Sequence, residues 1–158
     1  MAKLILIWAL LFTMTGYNKA SVSLTEVRQL FQRASTDESA CRALIKLLQP
    51  YTEKENPVLS GYKGTATMMM ANYVFSPFTK ISYFKRGKSI LEKAIMADQN
   101  NAELRFLRYS VQTNIPFFLG YKGQVNSDEK LLLSAISTMQ EQDLRLMVTK
   151  YLRKTGAL

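Results

Sequence analysis

The sequence predicts an all-α protein of about seven helices joined by short loops. Three observations carry this. Apolar residues recur at three- and four-residue spacing along most of the chain, and helix-start signals punctuate it repeatedly. No alternating stretch of useful length appears, since the β-rich residues 73–78 are broken by Pro77.

The N-terminal residues have a different character. Lys3 precedes an apolar run from Leu4 to Met14, and Thr15, Gly16, Asn18 and Ala20 follow. That order is expected of a signal peptide over residues 1–20, cleaved after Ala20, with the protein then periplasmic or secreted. The run is too short to span a bilayer as a mature helix; an uncleaved anchor or a buried N-terminal helix are the alternatives. Residues 21–158 are expected to form a single helical domain, a length that supports a core.

Six start signals order that domain. Four have the form of a capping box, in which a polar side chain accepts from an orphan amide and a Glu three residues on reaches back: Ser23 with Glu26, Ser35 with Glu38, Asn100 with Glu103, and Asn126 with Glu129. Two more are Asn56-Pro57 and Ser76-Pro77, where a capping residue precedes a proline whose missing N–H costs nothing at the first helical position.

Leu24, Val27, Phe31 and Ala34 mark the first helix, and Cys41, Leu44, Ile45 and Leu48 the second. The third runs from Pro57 to about Tyr73 and the fourth from Pro77 to about Ala97. Leu104, Leu107, Val111 and Ile115 mark the fifth. A final pair carries Leu132, Ala135, Ile136 and Met139, then Leu144, Met147, Val148, Tyr151 and Leu152, with Gly156 as the stop. Gly61 and Gly64 are expected to let a neighbouring helix approach closely, and Gly120 and Gly123 to serve a turn. Pro57–Gly64 and Pro116–Gly123 share a Gly-Tyr-Lys-Gly core. They are either a duplicated unit or two chance-similar flanking segments.

Composition narrows the chemistry. The chain has no histidine, hence neither the usual neutral-pH base nor the commonest transition-metal ligand, and one cysteine, Cys41, cannot build a zinc site or a disulfide within the chain. Cys41 shares a helical face with Leu44, Ile45 and Leu48 and is expected to be a buried thiol. No cofactor or metal is expected. Paired carboxylates remain the one enzymatic option, as in glycoside hydrolysis. Half of the acids have expected helix-terminal roles, however, and the remaining Glu53, Glu55, Glu92, Asp98, Glu141 and Asp143 fall in no motif. The Gly-Tyr-Lys-Gly segments lack the strand context of a phosphate-binding loop or a KH module.

The positive signal is charge. Lys plus Arg number 21 against 12 Asp plus Glu, a net +9, so anionic partners are favoured. From Asn56 through Leu91 there is no acidic residue, while Lys63, Lys80, Lys85, Arg86 and Lys88 stand among Tyr62, Tyr73, Phe75, Phe78, Tyr83 and Phe84. Arg105, Arg108, Tyr121 and Lys122 complete the expected partner-binding set, with Tyr62 and Lys63, if the fifth helix packs beside the fourth.

Residues 85–103 resemble the second helix and turn of a tetratricopeptide repeat, with Gly87, Leu91 and Ala94 at its small, large and small packing positions and Asp98 to Asn101 as its turn. Gln99 departs from the proline usual there. The resemblance implies a tetratricopeptide-like stack, the other architecture open being an irregular helical bundle, and a protein or peptide ligand. More broadly, Leu59-x-x-Tyr62-x-Gly64, Arg105-Phe-Leu-Arg108 and Pro116-x-Phe118-Leu-Gly-Tyr121 are similar to a family of short exported Gram-negative bacterial proteins with no assigned activity. The function expected is therefore a non-enzymatic exported interaction module that binds an acidic protein or peptide through a basic aromatic face. The alternative is a carrier or sensor of an amphipathic lipid, anionic lipid included, in a pocket lined by Met68–Met70 and the loop Pro116–Tyr121. Export argues against nucleic acid.

Overall fold

A computed structural model describes residues 22–158, and the expected signal peptide and its cleavage site lie outside them. Seven α-helices form along the described chain: α1 (Leu24–Ala34), α2 (Glu38–Leu48), α3 (Pro57–Met69), α4 (Pro77–Ala97), α5 (Ala102–Asn114), α6 (Val125–Ala135) and α7 (Gln142–Thr155). Two 3-10 turns, Met70–Tyr73 and Phe117–Leu119, complete the secondary structure, and there is no strand among the described residues. None of these helices is long and apolar enough to cross a membrane.

The proline-marked starts form as the sequence predicts. Asn56 Oδ1 accepts the Leu59 N–H at 3.0 Å, and Ser76 caps α4 through the Thr79 N–H. The capping boxes do not close. Asp37, rather than Ser35, caps α2 by accepting from the Ser39 and Ala40 amides, while the Ser35 hydroxyl donates back to Gln32 O. Asn101, rather than Asn100, caps α5, and α6 starts at Val125, ahead of Asn126. Ser23 occupies the first cap position without a side-chain bond. Asp37 and Asn101 are as good as or better than the expected caps, and each is adjacent to the first helical residue. The glutamates of the boxes are free for other work, described below.

α3 is the central helix, packed against α1, α2, α4 and α5. Its residues are small, with Ser60, Gly61, Gly64, Thr65, Ala66 and Thr67 all buried, as suits a helix enclosed on every side. The closest approach is to α4. A Cβ placed on Gly87 would sit 2.4 Å from Gly64 O, and one on Gly64 would sit 2.7 Å from Leu91 N. The two backbones therefore touch across the glycines, as expected of Gly64 and of Gly87 in its small packing position. The last turn of the expected third helix tightens into the 3-10 turn, and Tyr73 at its end donates to Ala34 O at 2.8 Å.

The odd-numbered helices meet in succession, α1 with α3, α3 with α5 and α5 with α7, and α7 returns to α1. α2, α4 and α6 pack onto helices adjacent in sequence. A single contiguous core runs through the bundle and includes Phe31, Leu44, Tyr62, Leu91, Leu107 and Leu152. Cys41 is buried as expected. Its thiol donates to Ala66 O at 3.3 Å, and burial pushes its pKa up to about 11. The Gly-Tyr-Lys-Gly echo is not a structural repeat. Gly61 and Gly64 are helical, whereas Gly120 takes a left-handed turn at φ 61° before α6.

Gly87→Ala should lower stability by roughly 1–3 kcal/mol through overpacking, read as a drop in urea midpoint. Gly123→Ala meets open space and should leave the midpoint unchanged. Equal midpoints for both variants would show that the α3–α4 contact is looser than described.

Candidate partner-binding site

The acid-free segment supplies one wall of an open groove. Arg42, Ile45, Lys46 and Gln49 come from α2, Lys63, Thr67 and Met70 from α3 and the turn after it, and Tyr83, Arg86 and Ile90 from α4. Each set recurs at helical spacing, so each element turns a single face to the groove. Its volume is about 430 Å³, and no carboxylate lines it. Apolar Ile45, Met70, Tyr83 and Ile90 stand among four cations.

Those cations are held differently. Arg42 pairs with Glu38 one turn back at 2.6 Å, on the exposed side of α2. Lys63 donates to Gln49 O at 3.4 Å and more closely to Tyr51 O, which ties α3 to the carbonyl end of α2. Arg86 lies 4.8 Å from the centroid of the Tyr83 ring, its guanidinium over the ring face. Lys46 is exposed.

The structure divides the residues expected from the sequence. Lys63 and Arg86 meet in the groove. Lys80 and Lys85 are exposed on other faces of α4, and Lys88 places its ammonium 4.5 Å from the centroid of the Tyr121 ring. Lys122 lines a separate polar cleft with Tyr109, Gln112, Thr113 and Glu129.

Tyr62, Arg105, Arg108 and Tyr121 are not available to a partner. Tyr62 is fully buried, and its hydroxyl donates to Glu103 Oε1 at 2.6 Å. Burial and the neighbouring Glu103 carboxylate together push its pKa well up. Arg108 makes a two-pronged bond to Asp128 at 2.7 and 2.8 Å and reaches Glu92 at 3.1 Å. Arg105 bonds Asp128 at 2.8 Å and Gln99 O at 2.8 Å. Tyr121 is buried, with its hydroxyl on Glu92. α5 does pack beside α4, but its arginines turn to these internal carboxylates instead of the basic face. The cause is energetic: a buried carboxylate such as Asp128 requires cations and donors around it.

A second internal network escaped the sequence entirely. Arg28 on α1 is only 1 % exposed, yet its guanidinium is saturated by acids. It forks onto Glu103 at 2.7 and 2.8 Å, reaches Glu141 at 2.5 Å, and bonds both Asp143 oxygens at 2.9 Å. Burial opposes its charge, but the bonds to Glu103, Glu141 and Asp143 outweigh this and hold the pKa above the ordinary arginine value. Asp143 shows the converse balance. Burial raises its pKa, while bonds from Arg28, the Leu144 N–H and Thr25 bring it below 3.8. Arg42, Ile45 and Lys46 were also missed as a groove wall, although their spacing on one face of α2 was visible.

The acids without an expected role are largely spoken for. Glu92, Glu141 and Asp143 belong to the two networks, Glu55 accepts from Thr52, and Asp98 accepts from Asn101. The proposed lipid pocket also separates. Met68 and Met70 are buried in the core, whereas Phe117 and Phe118 project outward. Comparison with family models, curated proteins and solved structures finds no match.

Arg28→Met should destabilise the protein by about 3–5 kcal/mol, because it leaves Glu103 buried without its cation. A loss below about 1 kcal/mol in chemical denaturation, the range of an exposed pair, would mean the network is solvated. Asp143→Asn carries a distinct pH signature. A depressed carboxylate contributes stability above its unfolded pKa and loses it as pH falls through the folded value. The variant should therefore be less stable than the parent at neutral pH, with the difference shrinking below pH 3.8.

Proposed function

We propose that the protein is a non-enzymatic helical interaction module that receives an acidic peptide segment of a partner protein in the α2–α3–α4 groove. The observation that carries this reading is the groove lining, with cations from three elements around apolar side chains and no carboxylate among them. A carboxylate-bearing segment with apolar residues on one side complements both properties, through charge at the rim and burial at the centre. The succession of α1, α3 and α5 with flanking α2 and α4 supports a repeat-like, tetratricopeptide-like mode, in which the surface of a helical stack takes an extended or helical ligand. Export to the envelope, expected from residues 1–20, places the partner there.

The probe is a labelled peptide rich in Glu and Leu, followed by fluorescence anisotropy. Binding should weaken with salt. Lys46→Glu combined with Arg86→Glu should weaken it roughly three- to tenfold. Lys150→Glu on α7, away from the groove, should leave it unchanged. Equal affinity for the parent and the groove double variant would sink the proposal.

A further inference from the structure

A different flank of α4 carries a surface that the groove does not use. Phe75 is 99 % exposed, Phe78 86 %, Phe117 84 % and Phe118 83 %, and Ile81 is exposed as well. At about 100° per residue, Phe78, Ile81, Lys85 and Lys88 form one stripe, while Tyr83, Arg86 and Ile90 face well away from it. The loop after α5 lies against the stripe. The Tyr121 ring packs edge-on to Phe84 with centroids 6.0 Å apart, and Lys88 stands over Tyr121. Gly120 turns the chain at φ 61°, and of the three residues in the preceding 3-10 turn only Leu119 packs on the core. Its two phenylalanines project outward from the loop that Tyr121 anchors to α4.

Four nearly free phenylalanine rings are unusual on a chain whose other aromatics are mostly packed, and such clusters mark contact surfaces. Their setting selects the contact. Lys80 and Lys85 are exposed along the same segment, and no acid occurs from Asn56 to Leu91. A second copy would bring these cations against each other. A protein partner would need a matching pocket for each isolated ring, whereas a fluid interface accommodates rings that project separately. Phenylalanines flanked by lysines are the composition that lies in the headgroup–acyl boundary of an anionic membrane.

We propose that this patch docks the protein on an anionic phospholipid bilayer. Phe75, Phe78, Phe117 and Phe118 enter the interface, and Lys80 and Lys85 pair with lipid phosphates. The docking is peripheral and independent of the groove.

The test uses the full chain with Trp8→Phe and Phe118→Trp, so that a single tryptophan reports from the patch. With phosphatidylglycerol vesicles carrying brominated acyl chains, its emission should shift to the blue and be quenched. Phosphatidylcholine vesicles or high salt should largely abolish both effects. Adding Phe75→Ser and Phe78→Ser, or separately Lys80→Glu and Lys85→Glu, should lower the anionic-vesicle partition coefficient about tenfold or more. The substituted side chains are exposed, so an unchanged far-UV spectrum is expected of each variant. Emission that ignores anionic vesicles overturns the proposal. So does emission already blue-shifted without lipid, which would show that the chain's own N-terminal run or a second copy covers the patch. Retained partitioning in the lysine variant would exclude phosphate recognition and overturn it as well.

Discussion

The bundle depends on one buried guanidinium. Arg28 sits on α1 and is satisfied by Glu103 in the first turn of α5 and by Glu141 and Asp143 at the start of α7. Both acceptor groups stand at helix N-termini, where the unpaired amide dipoles already favour negative charge. Tyr62 of α3 adds a donor to Glu103, so four helices converge on one set of bonds. Apolar contact between α1 and α7 tolerates sliding, but a forked guanidinium bonded to two helix starts fits a single register. The contact that returns α7 to α1 is thereby fixed by polar geometry as well as by packing.

Arg108 does comparable work for the other half of the chain. Asp128 is completely buried in the first turn of α6 and is held by Arg105 and Arg108 from α5. Glu92 joins α4 to the same cluster and also receives the Tyr121 hydroxyl, which seats the loop after α5. The two networks consume Glu92, Glu103, Asp128, Glu141 and Asp143 but only Arg28, Arg105 and Arg108. Of these, Arg28, Arg108, Glu103 and Asp128 are buried, two of each sign, while Glu141 is exposed and Glu92 and Asp143 are half-exposed. With one cysteine in the chain, these charge networks hold helices together where a disulfide within the chain cannot.

The helical fold was legible because its signals are local. Asn56-Pro57 and Ser76-Pro77 need no distant residue to act, and α3 and α4 start where they indicate. The capping boxes misled because Asp37 and Asn101 lie close to the expected caps and compete for the same amides, while Glu103 and Glu129 are drawn to Arg28 and Tyr109. The candidate site was only half legible, for a related reason. Arg86 and Arg108 look alike in sequence, and what distinguishes them is whether a carboxylate far along the chain turns inward beside them. Tyr62 and Tyr121 likewise have periodicities compatible with either face. The groove's second wall on α2 was present as spacing, but only the packing of α2 against α3 shows which face it is.

α4 is where these constraints meet, and its faces explain how one helix serves two surfaces. Gly87, Leu91 and Ala94 point into the core, pinned against α3 by the glycine contact. Tyr83, Arg86 and Ile90 turn to one side of that seam and line the groove, while Phe78, Ile81, Lys85 and Lys88 turn to the other. With the core face fixed by a backbone contact, the helix cannot rotate to merge the two flanks or to bury the exposed phenylalanines. Within the described residues the cost of leaving those rings in water is then a property of the fold itself. The seam thus keeps a basic groove with apolar residues on one flank and an apolar, lysine-bordered edge on the other, so the two proposed contacts share no side chains.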